Sequence, residues 1–180
     1  MKTFHVIISA SLIIASAYTQ FQQNSYTIVH DRVDNIKCNK SILRRPDFKV
    51  LQYNDSLQTK VLNGSGTIRT TLTELTLVPT VYRFVSNAYR LFPINVTIDS
   101  CSPNKKNVLG LLSILNHTNY RKCPVTPGYY YLKYYMLEED KFPPHIPYGQ
   151  YKLSVDTYTT NRAFICSGDW YGSIVRKNQD

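Results

Sequence analysis

The chain has 180 residues, of which 43% are hydrophobic, and a formal net charge of +9. This length is that of one domain, and it is sufficient to bury a core without metal ions or a dense set of disulfides. The basic residues occur as scattered pairs without a recognised motif, so we predict no binding to nucleic acid. The 15 Tyr and 7 Phe, against only 7 Gly, favour strands and predict a mostly β domain.

The amino terminus has the pattern of a secretory signal peptide. Lys2 precedes the mostly apolar run Phe4–Ile14, and the small residues Ala15–Ala17 follow it. The alternative is a membrane anchor, but the run is shorter than the roughly 20 apolar residues that span a bilayer. We therefore predict a signal peptide over residues 1–17 and, over residues 18–180, a single mature domain that is secreted, extracellular and not membrane-spanning.

Short runs rich in β-branched and aromatic residues, separated by turn signals, predict strands along most of the chain. Asn54-Asp55-Ser56 is one turn signal, and Asn63-Gly64 is the clearest one and predicts a tight hairpin. Pro79 favours a strand edge or a strand end, because proline cannot donate to a β-ladder. The predicted strands cover residues 26–36, 48–53, 57–62, 67–77, 81–85, 91–98, 129–137, 151–156 and 162–170.

One short helix is predicted after the sixth of these strands. Ser102 offers a capping hydroxyl, and Pro103 suits the first helical position. Val108, Leu111 and Leu115 follow at the spacing of one helical face, which is typical of packing against a core. This many short strands with one helix predict a sandwich or a barrel.

The four cysteines indicate disulfide bonds, because their number is even and the chain is predicted to be secreted. Three pairings are possible, and spacing favours one of them. Cys101 and Cys123 flank the predicted helix, and a bond between them would join its two ends. Cys38 ends the first strand and Cys166 lies in the last, so their bond would join the beginning of the domain to its end. No zinc-site spacing occurs, and we predict no metal and no cofactor.

Five sequons for N-glycosylation occur, and each can be used in the secretory pathway. A glycan on Asn95 would direct that side chain outward, and alternation would then direct Ile94, Val96 and Ile98 inward. We predict a glycoprotein with acceptor residues Asn39, Asn54, Asn63, Asn95 and Asn116.

No sequence pattern predicts catalysis, and we expect that the protein is not an enzyme. The acidic run Glu138-Glu139-Asp140 contains the carboxylate pair that a glycosidase needs, but such runs are usually solvated. A ribonuclease could use His30 and His117 as acid and base, but no local motif supports either histidine.

Several segments in the carboxyl-terminal half share their order with one family. Arg90–Cys101 is a strand that ends in Asp-x-Cys and precedes the Leu-rich helix. Asn119–Pro124 then contains Cys-Pro, Gly128–Lys133 is an aromatic strand, and Phe142–Lys152 is a proline-rich loop that leads to Gly-x-Tyr. In this order the chain resembles a family of secreted insect proteins of unassigned function, related to the CheB-type chemosensory proteins and similar in fold to the lipid-recognition (ML) domain.

The resemblance implies an all-β, immunoglobulin-like two-sheet β-sandwich of the ML type with one short helix. Cys101 and Cys123 match a cysteine pair of the family, so the resemblance implies a bond between them. It also implies a secreted binding protein for a hydrophobic small molecule, such as a lipid or a chemosensory pheromone. Strand and helix alternation predicts ligand-binding side chains at Phe84, Ile94, Val96, Ile98, Leu111, Leu115, Tyr131, Tyr151 and Leu153. A closed aromatic core is the alternative for these residues. The alternative function is an extracellular interaction or accessory protein for a membrane receptor or channel, without a bound ligand.

Overall fold

The structure is a computed structural model that describes residues 24–54, 59–95, 97–101, 108–159 and 161–177. The predicted signal peptide, the predicted helix start at Ser102-Pro103 and the candidate residue Val96 lie outside the described residues. The described strands are β1 (Tyr26–Cys38), β2 (Leu43–Asn54), β3 (Thr59–Ile68), β4 (Thr76–Val85), β5 (Ala88–Asn95), β6 (Ile98–Asp99), β7 (Gly128–Tyr135), β8 (Gly149–Tyr158) and β9 (Phe164–Arg176).

The strands form two antiparallel sheets. The larger sheet has six strands in the order β1-β9-β8-β4-β5, with β6 also paired to β4. The smaller sheet has the order β2-β3-β7. The two sheets form a sandwich, which confirms the predicted all-β, two-sheet class.

The core consists of two separate groups of buried side chains, and only the second includes residues of both sheets. The first centres on Tyr26, Tyr151 and Ile174, with Phe92 and Phe142 packed against them. The second, near the disulfides, has Leu72, Val125 and Ile165 at its centre and includes half-buried residues such as Tyr120 and Tyr130. Each fully buried side chain of this size contributes about 1.5–3 kcal/mol relative to its exposed state.

Both predicted disulfide bonds are confirmed. Cys38–Cys166 joins directly paired positions of β1 and β9, and Cys101–Cys123 joins the end of β6 to the loop before β7. Among the residues that the structure describes, no cysteine is free. Two disulfides are typical of proteins that fold in an oxidising, extracellular environment.

The tight hairpin predicted at Asn63-Gly64 is wrong, since both residues lie inside β3. A Cβ atom on Gly64 would meet the ring of Phe48 on the neighbouring strand β2, 2.6 Å from Cε1. Glycine is therefore required here for close packing of a side chain on the backbone, and no turn is involved.

Pro79 does not end a strand, since it lies inside β4 opposite Val155 of β8, but it does lie at a local edge of β4. On the other side of β4, pairing with β6 stops at Leu77 and pairing with β5 begins at Thr80. Position 79 therefore lies between two ladders, where a missing N–H donor removes no hydrogen bond.

The predicted Leu-rich helix is present as a 3-10 helix over Val108–His117, and a second 3-10 helix covers Glu139–Lys141. The first packs beside β7, where Thr118 forms a bridge with Leu132. Within the described ranges, no helix combines the length and the apolar character that crossing a bilayer demands.

Candidate functional site

A cleft with a volume of about 610 Å³ lies between the two sheets. The beginning of β1 forms one wall, and the start of β3 with the segment after β7 forms the other. We call it the inter-sheet cleft. Its lining residues are Tyr26, Thr27, Ile28, Val29, His30, Thr59, Lys60, Met136, Leu137, Glu138, Glu139, Asp140 and Lys177.

The alternation of β1 determines which side chains enter the interior beside this cleft. Tyr26, Ile28 and His30 share one face of the strand because side chains alternate along it. Tyr26 and Ile28 belong to the first buried group. His30 follows on the same face and is only 3% exposed, the one buried polar side chain in the described part of the chain.

Trp170 and Gly172 on β9 hold the His30 side chain in place. His30 lies opposite Gly172 in the β1–β9 pair, and the Trp170 ring occupies the space where a side chain at 172 would stand. From there the Trp170 indole N–H donates a hydrogen bond of 2.8 Å to Nδ1 of His30. The two rings meet edge to face, with centroids 5.7 Å apart.

This hydrogen bond determines the tautomer of His30. An indole nitrogen can only donate, so Nδ1 must be an unprotonated acceptor and the neutral ring carries its proton on Nε2. Burial lowers the pKa of His30 from 6.5 to about 4, against the opposing effect of the Asp31 carboxylate. At neutral pH the ring is therefore uncharged and holds an N–H donor at Nε2.

The mouth of the inter-sheet cleft is charged. Glu138, Glu139 and Asp140 line it together with Lys60 and Lys177. Glu139 also accepts a hydrogen bond of 2.6 Å from the backbone N–H of Ile28, which attaches the segment after β7 to β1. The cleft thus combines charged side chains with apolar ones, which include Met136 at 48% exposure, a mixture common in sites for small molecules.

Residues 138–148, which we call the strap, cross the end of the sandwich beside this cleft. The hydroxyl of Tyr26 donates to the carbonyl of Pro143 over 2.7 Å, and that of Tyr151 donates to the carbonyl of Pro147 over 2.7 Å. Phe142 packs against the first buried group. The strap is therefore attached to both β1 and β8.

Two of the predicted ligand-binding residues lie on outer faces, which corrects the predicted phase of their strands. Val81 belongs to the first buried group, so alternation directs Phe84 outward, where it is 39% exposed and contacts Tyr89. Tyr130 packs inward, so its neighbour Tyr131 faces outward. Lys133 Nζ lies 4.7 Å from the Tyr131 ring centroid.

The other predicted residues are buried to different degrees. Tyr151 is buried at 5% exposure, and Leu153 is half-buried opposite Trp170. Ile94, Ile98 and Leu115 are half-buried, while Val96 and the side chain of Leu111 lie outside the described residues. None of the nine predicted residues lines the inter-sheet cleft.

The cleft residues that sequence reasoning missed lie mainly on β1 and after β7. The sequence places Tyr26, Ile28 and His30 on one face of β1, but alternation alone does not show that this face is the buried one. Its partner Trp170 lies 140 positions away, and no local pattern connects the two residues. The acidic run Glu138-Glu139-Asp140, expected only to be solvated, also lines the cleft.

A second cleft, of about 580 Å³, lies at the other end of β1 near Cys38. Lys40, Arg44, Arg45 and Arg69 all line it. An apolar ligand placed there would remove water from several cations, which is costly without compensating acceptors. The inter-sheet cleft is therefore the better candidate for an apolar molecule.

The predicted glycosylation sites differ in their surroundings. Asn39 and Asn116 are exposed, as a glycan requires. Asn63 is half-buried, and its Oδ1 accepts a hydrogen bond of 2.8 Å from the backbone N–H of Tyr134. The side chains of Asn54 and Asn95 lie outside the described residues.

Comparison with known families gives one match. Residues 78–153, from within β4 to within β8, match the family model described as a protein of unknown function (DUF1091). No curated protein matches the chain. The matched segment contains the Cys101–Cys123 bond and the strap, but β1, which forms one wall of the inter-sheet cleft, lies outside it.

Proposed function

We propose that the chain is a secreted protein that binds an apolar small molecule, a lipid or a pheromone-like compound, in the inter-sheet cleft. The observation that carries the proposal is the cleft itself. Its volume of about 610 Å³ falls within the roughly 300–1,000 Å³ of known small-molecule sites. The resemblance to CheB-type and ML proteins adds a chemosensory or lipid-carrying role to the proposal.

The division of the core supports this proposal. The two buried groups are separate, and the inter-sheet cleft borders the first of them through Tyr26 and Ile28. A ligand in the cleft would extend this apolar surface and cover Met136, which is 48% exposed in the free protein. Each methylene that the cleft removes from water contributes about 0.8 kcal/mol, or roughly a fourfold gain in affinity.

Calorimetric titration with 1-octanol, 1-decanol and 1-dodecanol tests the proposal. The dissociation constant should fall by roughly fourfold for each added methylene, and Met136→Asp should weaken binding of every alcohol because it places a carboxylate in the cleft. Leu91→Asp, on the outer face of the larger sheet, is the matched control and should bind like the wild type. Absence of binding, or an affinity independent of chain length, contradicts the proposal.

A second candidate function rests on the outer face of the larger sheet. Directly paired residues form one row across five strands there, namely Leu91, Tyr82, Lys152, Tyr171 and Arg32. Leu91 is 68% exposed. The Arg32 guanidinium lies 3.8 Å from the Tyr171 ring centroid, and Lys152 Nζ lies 4.2 Å from that of Tyr82.

Tyr82 and Tyr171 are half-buried, and aromatic rings beside cations are typical of protein interfaces. This row therefore supports the alternative of an accessory protein that contacts a membrane receptor or channel. The same two variants separate the functions. Leu91→Asp should weaken binding to such a partner and leave alcohol binding intact, whereas Met136→Asp should have the opposite effects.

A further inference from the structure

We infer that the ligand of the inter-sheet cleft is an uncharged molecule with a hydrogen-bond acceptor, such as a ketone or ester oxygen, which accepts from Nε2–H of His30. The inference rests on the proposed function, because it names the chemical class of ligand for the same site. It starts from a donor on a largely buried ring, which Trp170 orients and which belongs to the lining of the cleft.

The orientation of the donor follows from Trp170. Its indole N–H uses Nδ1 of His30 as an acceptor over 2.8 Å, so the proton of the neutral ring lies on Nε2. No hydrogen bond joins Nε2 to any of the described residues, and His30 is part of the cleft lining. Nε2 is not one of the buried, unpartnered atoms of the described residues, so this N–H remains accessible from the cleft. A ligand that displaces water from it loses a hydrogen bond unless it supplies an acceptor, and a ligand that supplies one therefore binds better.

The surroundings exclude charged ligands. Glu138, Glu139 and Asp140 line the same cleft as Lys60 and Lys177, and Asp140 also forms an ion pair of 3.0 Å with Lys141. These charges already balance one another, so a charged ligand would leave the cleft with an unbalanced charge. A cation would be repelled by the partly positive hydrogen of the His30 N–H group, which can only donate a hydrogen bond. A neutral oxygen acceptor on an apolar chain satisfies the donor and adds no charge to the cleft.

A thermodynamic cycle with two probes and two proteins tests the inference. The probes are 2-dodecanone and dodecane, which differ in one carbonyl oxygen, and the proteins are the wild type and His30→Phe. The preference for the ketone over the alkane should fall by roughly three- to tenfold in His30→Phe, the size of one net hydrogen bond. The comparison between the two proteins cancels the different solubilities of the probes, because each free probe has the same solubility in both titrations.

His117→Phe is the matched control, because His117 also contacts an aromatic ring, that of Tyr135, but does not line the cleft. Its ketone preference should equal that of the wild type. If His30→Phe leaves Trp170 without an acceptor and fails to fold, the double variant His30→Phe/Trp170→Phe removes both partners and serves in its place.

The outcomes distinguish the inference from the proposed function. Binding of both probes with an unchanged ketone preference in His30→Phe overturns the inference alone, whereas binding of neither probe to the wild type overturns both. A measurement without ligand adds a direct test. Long-range ¹H–¹⁵N spectra of the wild type should show His30 protonated at Nε2 only, and protonation at Nδ1 instead would overturn the inference.

Discussion

His30 on β1 lies directly opposite Gly172 on β9, and this pairing makes room for the Trp170 ring beside the inter-sheet cleft. A Cβ atom at position 172 would collide with that ring and would lie 2.7 Å from the carbonyl oxygen of Val29. One glycine thus permits the contact that orients the buried histidine.

Gly172→Ala should therefore lower the free energy of unfolding by about 1–3 kcal/mol, the usual cost of overpacking. It should also break the bond between Trp170 and His30, which changes the fluorescence of Trp170, the only tryptophan in the chain. Gly168→Ala is the control on the same strand, because its Cβ would make an ordinary contact of 3.7 Å with Ile36. Equal loss of stability in both variants would contradict this account of position 172.

The stability of the protein should depend on pH through His30. Burial lowers the pKa of His30 from 6.5 to about 4, with Asp31 opposing. At pH values between about 6.5 and 4, His30 is therefore protonated in the unfolded chain and neutral in the folded chain. The free energy of unfolding should therefore fall as the pH falls from about 6.5 to 4, by about 3 kcal/mol in total from this group.

Chemical denaturation across this pH range measures the effect, and the double variant His30→Phe/Trp170→Phe is the control that should lack it. Asp169 also titrates in the acid range. Burial raises the pKa of Asp169, but hydrogen bonds from Ser154 and Asn35 outweigh this effect, so the pKa is lowered overall. The stability that Asp169 contributes is therefore lost at pH values below the range in which His30 titrates. The same slope in both proteins would show that His30 is not the group responsible.

The two disulfides should stabilise the fold unequally. Cys38 and Cys166 are 128 positions apart, whereas Cys101 and Cys123 are 22 apart. On the chain-entropy argument, replacing the first pair by serine should cost about 5 kcal/mol and replacing the second about 3 kcal/mol. Denaturation of the two double-serine variants measures the difference, and a greater loss for the shorter loop would mean that loop closure does not explain it.

The strap should loosen when its bond to β1 is removed. Tyr26→Phe deletes the donor to the Pro143 carbonyl, a bond of 2.7 Å, and should cost about 1 kcal/mol. Hydrogen exchange of strap amides should become faster. Tyr148→Phe deletes a longer bond of 3.4 Å to the Ser25 carbonyl and is the control, for which we expect a smaller change. Unchanged exchange in Tyr26→Phe would show that packing alone holds the strap.

The fold class and both disulfides could be predicted because their signals lie in the composition and in the order of residues along the chain. Tyr-rich strands and the spacing of Cys38 and Cys166 can be read without knowing which strands pair. Gly64 misled the prediction because its reason, the ring of Phe48 against the backbone, belongs to a neighbouring strand. A glycine needed for close packing and a glycine needed for a turn look the same in a sequence.

The candidate site was predicted less well, because alternation identifies two faces of a strand but not which one is buried. Phe84 and Tyr131 are large and apolar, yet both lie on outer faces beside other aromatic rings. Cation–ring contacts, such as that of Lys133 with Tyr131, stabilise such residues at a surface. His30 could not be identified as an oriented donor from the sequence, because its partner Trp170 is placed next to it only by the order of the strands in the sheet.

The most direct test of ligand binding in the inter-sheet cleft is to analyse what the protein carries when a eukaryotic host secretes it. The full-length chain is expressed, purified, extracted with organic solvent and analysed by quantitative mass spectrometry, in parallel with Met136→Asp and Leu91→Asp. We predict about one apolar molecule per protein for the wild type and Leu91→Asp, and far less for Met136→Asp. An empty wild-type protein, or equal amounts in all three, would contradict the account.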